Sequence, residues 1–277
     1  MIPKTNINQW KKYYNWPFDE QVEQDLIICR ILLNIYQDPF LNSQLAFRGG
    51  TALQKLYFKK PTRYSEDIDL VQISAGPIGN IINKLRDVID PWLGLPTYNR
   101  NEGRFTLYYS FLTENEPISK RKVKIEINTR EHFSIFGFIE QTFVIDNPWI
   151  SGEAKITTYQ IEELLGTKLR ALYQRKKGRD LFDLGVAMEI LDINVSQIIS
   201  CFHQYVGSKI SRAQFEKNLY LKIRDITFLS EINSLLPIQS DFSLKINEYK
   251  QNVYEKIIKL LPGEPWKVKF ESCLETS

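Results

Sequence analysis

The chain has 277 residues, 43% of them hydrophobic and 25% charged, and its formal net charge at pH 7 is +3. This length allows a buried core and two modest domains. With so small a net charge, the overall field of the molecule does not by itself indicate a nucleic-acid binder, and any basic surface would be local. Three cysteines without a CxxC pair exclude a zinc ribbon and a disulfide framework, which indicates a reducing compartment. The N-terminus lacks a signal-peptide core and no apolar run could span a bilayer, so we expect a cytoplasmic protein without membrane contact.

The first half of the chain alternates between helical and strand patterns. Apolar residues recur at helical spacing after Asp19, and Asp67 begins a run that alternates in the manner of a strand. Residues 113–119 are polar and are expected to join two strands as a hairpin. The expected helices cover residues 19–36, residues 51–58 and a segment opened by Pro77, and the expected strands cover residues 45–47, 67–73, 104–112, 122–128 and 141–145.

The second half of the chain follows helical periodicity from Thr158 onward. Thr158 itself is expected to start a helix that ends near Gly178. We place a domain boundary near residue 155, between a domain of residues 1–154 with a small mixed sheet and flanking helices, and an α-helical domain of residues 155–277. The sequence therefore predicts an α+β fold. Four further helices are expected at residues 181–191, 195–205, 212–224 and 244–261.

Asp67 and Asp69 are separated by one residue in the predicted strand. Alternate residues of a strand point to the same face, so the two carboxylates project together, about 7 Å apart along the chain. Two adjacent carboxylates repel each other, and a divalent cation relieves that repulsion. Carboxylate oxygens are hard ligands that suit Mg²⁺, which fills its remaining coordination positions with water and substrate phosphates. The alternative is that one aspartate faces solvent at the strand end and forms an ordinary salt bridge.

The pair Gly49 and Gly50 lies upstream, where a strand is expected to meet a helix. Glycines at such a junction allow the backbone to approach a phosphate closely, and the first N–H groups of a helix are free to bind it. A Gly-Gly turn alone is common in loops. Because a strand with two aspartates follows this turn, the combination indicates a site for a phosphate group and a metal ion.

Glu126 supplies a third carboxylate, between two isoleucines in the strand expected at residues 122–128. A carboxylate at such a position is costly unless it is exposed or engaged by a partner. If this strand lies beside the strand of Asp67 and Asp69, Glu126 can complete a site for two metal ions. The alternative is that Glu126 lies on the solvent face of an amphipathic strand.

Charged residues of the later segment also share a face. Lys168 and Arg175 are seven residues apart in a predicted helix, so they line one stripe of its surface. Asp180 and Asp183 follow close behind in the sequence. These two aspartates either belong to a functional site, or they cap the next helix and pair with Arg175 or Lys176.

The order of these motifs resembles one known family. Residues 49–53 (Gly-Gly-Thr-Ala-Leu) and residues 63–70 (Arg-Tyr-Ser-Glu-Asp-Ile-Asp-Leu) are similar to motifs of the polymerase-β-type nucleotidyltransferase superfamily. Lys168 and the run Arg-Asp-Leu-Phe-Asp-Leu at residues 179–184 are similar to the downstream motif of its AbiEii/AbiGii toxin family. That family belongs to bacterial abortive-infection and toxin–antitoxin systems. The resemblance covers about residues 47–184 and implies the core fold of a nucleotidyltransferase.

The resemblance implies roles for the matching residues. Four of them would hold the nucleotide phosphates: Gly49, Gly50, Thr51 and Ser65. Three carboxylates would bind Mg²⁺ or Mn²⁺: Asp67, Asp69 and Glu126. Lys168 would reach the triphosphate, a task that suits a point charge on a flexible stem. Asp183 would lie at or near the active site, and the catalytic residues would be Asp67, Asp69, Lys168 and Asp183.

The implied activity is transfer of a nucleoside monophosphate from an NTP to an acceptor hydroxyl, with two metal ions. The acceptor would be RNA, such as a tRNA end, or a protein, and the basic clusters at residues 120–124 and 175–179 could hold an RNA backbone. The implied setting is a toxin in phage defence, held in check by a cognate antitoxin. Two alternatives stay open: a phosphotransferase that acts on a protein hydroxyl, and an inactive module that binds nucleotide or RNA.

Overall fold

The computed structural model describes residues 2–60, 62–114, 116–238 and 245–267. The chain forms two compact units, residues 1–160 and residues 161–277. The first unit contains helices and all seven of the strands described below. Its helices are α1 (Lys4–Lys11), α2 (Asp19–Gln37), α3 (Pro39–Gln44), α4 (Gly49–Ala52) and α5 (Gly79–Leu93), with a π-helix at Leu53–Tyr57. Its strands are β1 (Leu45–Arg48), β2 (Asp67–Gln72), β3 (Thr97–Asn101), β4 (Arg104–Leu112), β5 (Lys120–Asn128), β6 (Phe138–Asn147) and β7 (Ile150–Tyr159).

These strands form one mixed sheet in the order β3-β4-β5-β2-β1-β7-β6. β2 lies at the centre, antiparallel to β1 and parallel to β5. β1 is parallel to β7, whereas β3 with β4, β4 with β5 and β6 with β7 pair in antiparallel fashion. The mixed sheet confirms the predicted α+β class. It also places the strand of Asp67 and Asp69 directly beside the strand of Glu126.

The two faces of the central strands differ in polarity. Ile68 of β2 and Ile125 of β5 are fully buried on one face. Tyr109 of β4 lies on the same side, and its hydroxyl donates a hydrogen bond to Asp90 of α5 at 2.7 Å, so α5 covers this face. Burial of each such apolar side chain stabilises the fold by roughly 1.5–3 kcal/mol. Alternation along β2 directs its two aspartates to the opposite face.

Two strands of the first unit, β3 and β7, have no counterpart among the strands expected from the sequence. All five residues of β3 are exposed, so this strand carries no alternation between apolar and polar residues. β7 contains Thr158, and the prediction that Thr158 starts a helix is therefore wrong. Its hydroxyl instead donates a hydrogen bond to the backbone carbonyl of Phe47 at 2.7 Å, where β7 pairs with β1. The strand expected at residues 141–145 lies within the longer β6.

The second unit is built of helices. Its helices are α6 (Ile161–Gln174), α7 (Gly178–Ile190), α8 (Val195–Val206), α9 (Arg212–Ile223), α10 (Ile226–Ser230) and α11 (Ile246–Lys256), with 3₁₀ turns at Asn233–Leu235 and Ile258–Leu260. Two close helix contacts depend on glycine. A Cβ added at Gly166 of α6 would lie 2.5 Å from Cys201 Cβ of α8, and one added at Gly185 of α7 would lie 2.3 Å from Tyr249 Cβ of α11.

The helices expected in the second half fall on observed helices, with shifted ends. The first begins at Ile161 rather than at Thr158, and it ends at Gln174. The helix expected at residues 244–261 is α11 followed by a 3₁₀ turn, and Leu244 lies outside the described residues. Among the described residues, none of the helices has the length and hydrophobicity that crossing a lipid bilayer requires.

Candidate active site

The junction between β1 and α4 packs directly against β2. Gly49 adopts φ +83°, a conformation that other residues rarely adopt. A Cβ added at Gly49 would lie 2.2 Å from Asp69 Oδ2, far inside van der Waals contact. Register explains this closeness, because Arg48 at the end of β1 lies opposite Asp69. The carboxylate of Asp69 therefore lies against a backbone turn that only glycine can form without displacing it.

Hydrogen bonds connect the next residues of this turn to the start of β2. A Cβ added at Gly50 would lie 2.4 Å from Arg63 Nη2, so the buried guanidinium of Arg63 lies against the turn. The hydroxyl of Thr51 lies 2.8 Å from Ser65 Oγ and hydrogen-bonds the backbone carbonyl of Asp67. The four predicted phosphate-binding residues are thus brought together. Arg63 joins them, although its motif position alone gave it no role.

Three carboxylates lie in adjacent positions of β2 and β5. The parallel register places Asp69 opposite Glu126, and Asp67 opposite Lys124. The ammonium of Lys124 lies 3.0 Å from Asp67 Oδ2 and 3.5 Å from Glu126 Oε2. On its other side, Glu126 Oε1 lies 3.1 Å from Arg104 Nε of β4. The structure therefore brings the predicted carboxylates to one face, and it adds two cations that hold them.

The electrostatics of Asp67 combine two opposing effects. Burial raises the pKa of this carboxyl and Lys124 lowers it, while the charges of Asp69 and Glu66 raise it further, and the net shift is upward. Burial lowers the pKa of Lys124 and the neighbouring carboxylates raise it, with a net rise. Within the described parts of the chain, no three His, Cys, Asp or Glu side chains are grouped in a way that could hold a metal ion. The three-carboxylate metal site stays a prediction.

Lys124 and Arg104 are the residues of this face that motif analysis does not single out. Lys124 stands out in the sequence only as part of a basic cluster. A usable signal is the alternation of charged and apolar residues in β5, which places Lys124 and Glu126 on one side of that strand. Arg48 also lies here, and its Nη1 donates to Glu131 Oε2 at 2.6 Å.

The other predicted site residues belong to the second unit. Lys168 of α6 is buried, and its Nζ lies 3.1 Å from Asp180 Oδ1 and 2.8 Å from Asp183 Oδ2, both on α7. Arg175 adds two hydrogen bonds to Asp180, at 2.7 and 2.8 Å. Burial raises the pKa of Asp180, but Lys168 and Arg175 lower it more, so the net pKa lies well below the usual range. These four residues form one ion-pair cluster that links two helices.

The mixed sheet, with a glycine turn packed against the second aspartate of its central strand, carries the motifs that resemble those of the nucleotidyltransferase class. The chain belongs to one family of that class: the family described as "Nucleotidyl transferase AbiEii toxin, Type IV TA system" matches residues 30–256. The family resemblance drawn from the motifs is confirmed. The protein is thus a nucleotidyltransferase of a type IV toxin–antitoxin family, for which an NTP substrate and a cognate antitoxin are typical.

Two solved structures share the fold. The nucleotidyltransferase toxin MenT4 from Mycobacterium tuberculosis H37Rv is 12% identical in sequence, with a TM-score of 0.58, and the match covers 99% of each chain. JHP933 from Helicobacter pylori is 18% identical, with a TM-score of 0.55, and the match covers 87% of this chain and 95% of the other. At these identities the likeness concerns the fold. No curated protein sequence matches the chain closely enough to count as a relative.

Proposed function

We propose that the protein transfers a nucleoside monophosphate from an NTP to the hydroxyl of an acceptor. The acceptor oxygen forms a bond to the α-phosphorus, and the bond from that phosphorus to the bridging oxygen breaks. Pyrophosphate leaves, and the hydroxyl proton is lost to water. The observation that carries this proposal is the 2.2 Å separation between the Cβ position of Gly49 and Asp69 Oδ2. At this short distance, a backbone turn that can bind phosphate lies beside a carboxylate that can bind a metal ion.

Asp67 and Asp69 would hold a divalent cation, Mg²⁺ or Mn²⁺, with Glu126 beside them. Carboxylate oxygens are the ligands that these ions prefer. The ammonium of Lys124, between Asp67 and Glu126, occupies the kind of position that a bound cation would take. When bound, such an ion neutralises phosphate charge and lowers the pKa of the attacking hydroxyl. The donor set and the cationic stand-in both support the fit.

Residues of the turn would position the nucleotide. Gly49 and Gly50 would present backbone N–H groups to the phosphates, and Thr51 and Ser65 would add hydroxyl groups. The hydrogen bond from Thr51 to the carbonyl of Asp67 fixes the distance between the turn and β2. A fixed distance lets phosphate and carboxylates act on the same substrate atom, which lowers the entropic part of the barrier.

The roles of Lys168 and Asp183 stay predictions of the family resemblance. We also propose that the unit of residues 1–160 carries the catalytic domain and that residues 161–277 form a helical domain. The boundary expected near residue 155 falls inside β7, which belongs to the sheet. In the structure the charges of Lys168 and Asp183 satisfy each other. A loss of activity after a change at Lys168 would therefore report on folding as well as on substrate binding.

RNA, such as a tRNA end, is the acceptor that we propose. Lys120 and Lys122 are exposed on β5 and can contact phosphates. The second basic cluster is more engaged, because Lys176 pairs with Asp225 and Lys177 lies 3.4 Å from a carboxylate oxygen of Glu231. As the biological setting we propose a toxin that acts in abortive infection and phage defence.

Label transfer tests the proposed reaction. The purified protein is incubated with Mg²⁺, each α-³²P-labelled NTP in turn and total bacterial RNA, beside the Asp67→Ala/Asp69→Ala variant. The proposal predicts label in an RNA band with the wild type alone. A parallel series with γ-³²P-labelled NTP and a protein extract tests phosphotransfer to a protein hydroxyl. If label is transferred from the γ-labelled NTP and none from the α-labelled NTP, the protein is a phosphotransferase and not a nucleotidyltransferase.

A further inference from the structure

Lys124 touches two of the carboxylates of the site. Its ammonium lies 3.0 Å from Asp67 Oδ2 and 3.5 Å from Glu126 Oε2. The side chains of Lys124 and Asp67 are each 28% exposed, and that of Glu126 is 22% exposed. Partial burial weakens the screening by water, so these contacts are stronger than those of a surface ion pair.

The backbone holds this ammonium in place. β5 pairs with β2 in parallel register, with Asp67 opposite Lys124 and Asp69 opposite Glu126. Ile125, between the two charged residues of β5, is fully buried and fixes the strand. A slip of one residue would turn Ile125 toward the polar face, so the register resists change. Lys124 is therefore directed at Asp67 by the fold itself.

We propose that Lys124 is a positioning residue that serves as a built-in counter-ion of the carboxylate cluster. It holds Asp67 and Glu126 in place before a divalent cation binds, and it competes with that cation for Asp67. The inference rests on the proposed function, in which Asp67 and Asp69 bind the cation. Lys124 occupies the cluster before the cation binds, and the free ion alone therefore binds with low affinity.

Competition by Lys124 couples the metal ion to the nucleotide. A cation that binds Asp67 must displace the ammonium, and the displaced ammonium then lacks one of its anionic partners. The phosphates of an NTP supply a new partner at the same face. The cation is therefore expected to bind weakly alone and more tightly together with the nucleotide, which is a coupling that Lys124 creates.

Binding of Mn²⁺ alone tests this role without any turnover. Free Mn²⁺ is measured by electron paramagnetic resonance during titration of the full-length wild type and of the Lys124→Met and Lys124→Arg variants. Lys122→Met is the matched control, since Lys122 lies exposed on the same strand. We expect Lys124→Met to lower the Kd for Mn²⁺ about tenfold, equivalent to about 1.4 kcal/mol. Lys124→Arg and Lys122→Met should bind as the wild type does.

Melting curves give a second measurement. Without a counter-ion the carboxylates repel each other, so Lys124→Met should have a lower melting temperature than the wild type. Mn²⁺ should raise the melting temperature of Lys124→Met by more than it raises that of the wild type. If Lys124→Met fails to fold, Lys124→Gln removes the charge and keeps a polar group, and it is judged by the same two measurements.

Two results would overturn the proposed role of Lys124, and they differ in whether the proposed metal site still holds. If Lys124→Met binds Mn²⁺ as weakly as the wild type or more weakly, and Asp67→Asn/Asp69→Asn does not bind it, the proposed counter-ion role of Lys124 is wrong. The proposed metal site would still hold. No Mn²⁺ binding by any of the proteins would overturn both the counter-ion and the proposed metal site.

Discussion

The turn at Gly49 allows a perturbation whose size follows from the structure. In Gly49→Ala, the new Cβ would lie 2.2 Å from Asp69 Oδ2 and 3.0 Å from Asp69 Cβ and Cγ. Opening the first distance to the 3.4 Å of ordinary contact moves the carboxylate by about 1 Å, since 3.4 minus 2.2 is 1.2. The φ of +83° adds a backbone cost of about 1–2 kcal/mol for alanine.

Gly137 provides the matched control. It has φ +82°, and a Cβ added there would meet nothing within 4 Å. Gly137→Ala therefore carries the same kind of backbone cost without a displaced carboxylate. We expect each variant to lose about 1–2 kcal/mol in urea unfolding for the backbone alone. Only Gly49→Ala should lose label transfer, by on the order of 100-fold, because a misplacement of 1 Å in a reacting site costs about that much.

The measurements are urea unfolding of both variants and the initial rate of transfer from the α-labelled NTP. The rate is taken at a temperature where both variants are folded. If Gly49→Ala transferred label within a few-fold of Gly137→Ala, the contact between the turn and Asp69 would have no part in catalysis. The proposed joint action of the turn and Asp69 on one substrate would then be refuted.

Three further predictions concern buried charges. Lys55→Met should lower the free energy of unfolding in urea by about 3–5 kcal/mol, because it leaves Asp25, 2.8 Å from the ammonium, buried without its cation. Lys11→Met breaks the more accessible pair with Asp19 and should cost less than about 1 kcal/mol. Lys168→Met should also cost about 3–5 kcal/mol, since it removes the ammonium that lies 2.8 Å from the buried Asp183 and 3.1 Å from the buried Asp180, and a cost below 1 kcal/mol would contradict the ion-pair cluster. Burial raises the pKa of Glu23 from 4.5 to about 7, so between these pH values the folded state keeps a proton that the unfolded state has lost, and stability falls as the pH rises. Glu23→Gln should remove this dependence of the free energy of unfolding on pH, which urea unfolding at several pH values measures. An unchanged dependence would contradict the raised pKa of Glu23.

The sequence predicts the parts of the site that depend on local pattern. The alternation around Asp67 and Asp69 indicates a strand, and the pair Gly49 and Gly50 indicates a tight turn, because each depends on residues within a few positions of one another. The role of Lys124 depends on the pairing of β5 with β2, which joins residues 57 positions apart, 124 minus 67. The alternation in β5 places Lys124 and Glu126 on one side of that strand, but a single sequence carries no signal of the register that sets Lys124 opposite Asp67.

The sequence pattern also fails to predict β3 and the end of β7, because both depend on contacts with distant residues. β3 is exposed along its whole length and is held by its pairing with β4, so its own residues carry no strand pattern. Thr158 has the features of a helix cap, yet its place in β7 beside β1 takes precedence. Local propensity gives way in both places to contacts with distant parts of the chain.

Asp69→Asn is the variant that tests the account most directly. It keeps the size of the side chain and removes the charge that lies against the glycine turn. Its control is Asp146→Asn, an exposed aspartate of β6. With α-³²P-labelled NTP, Mg²⁺ and RNA, we predict that Asp69→Asn loses on the order of 100-fold or more in transfer rate while its unfolding curve stays close to that of the wild type. A folded Asp69→Asn protein that transfers label as fast as Asp146→Asn would contradict the assignment of this face as the active site.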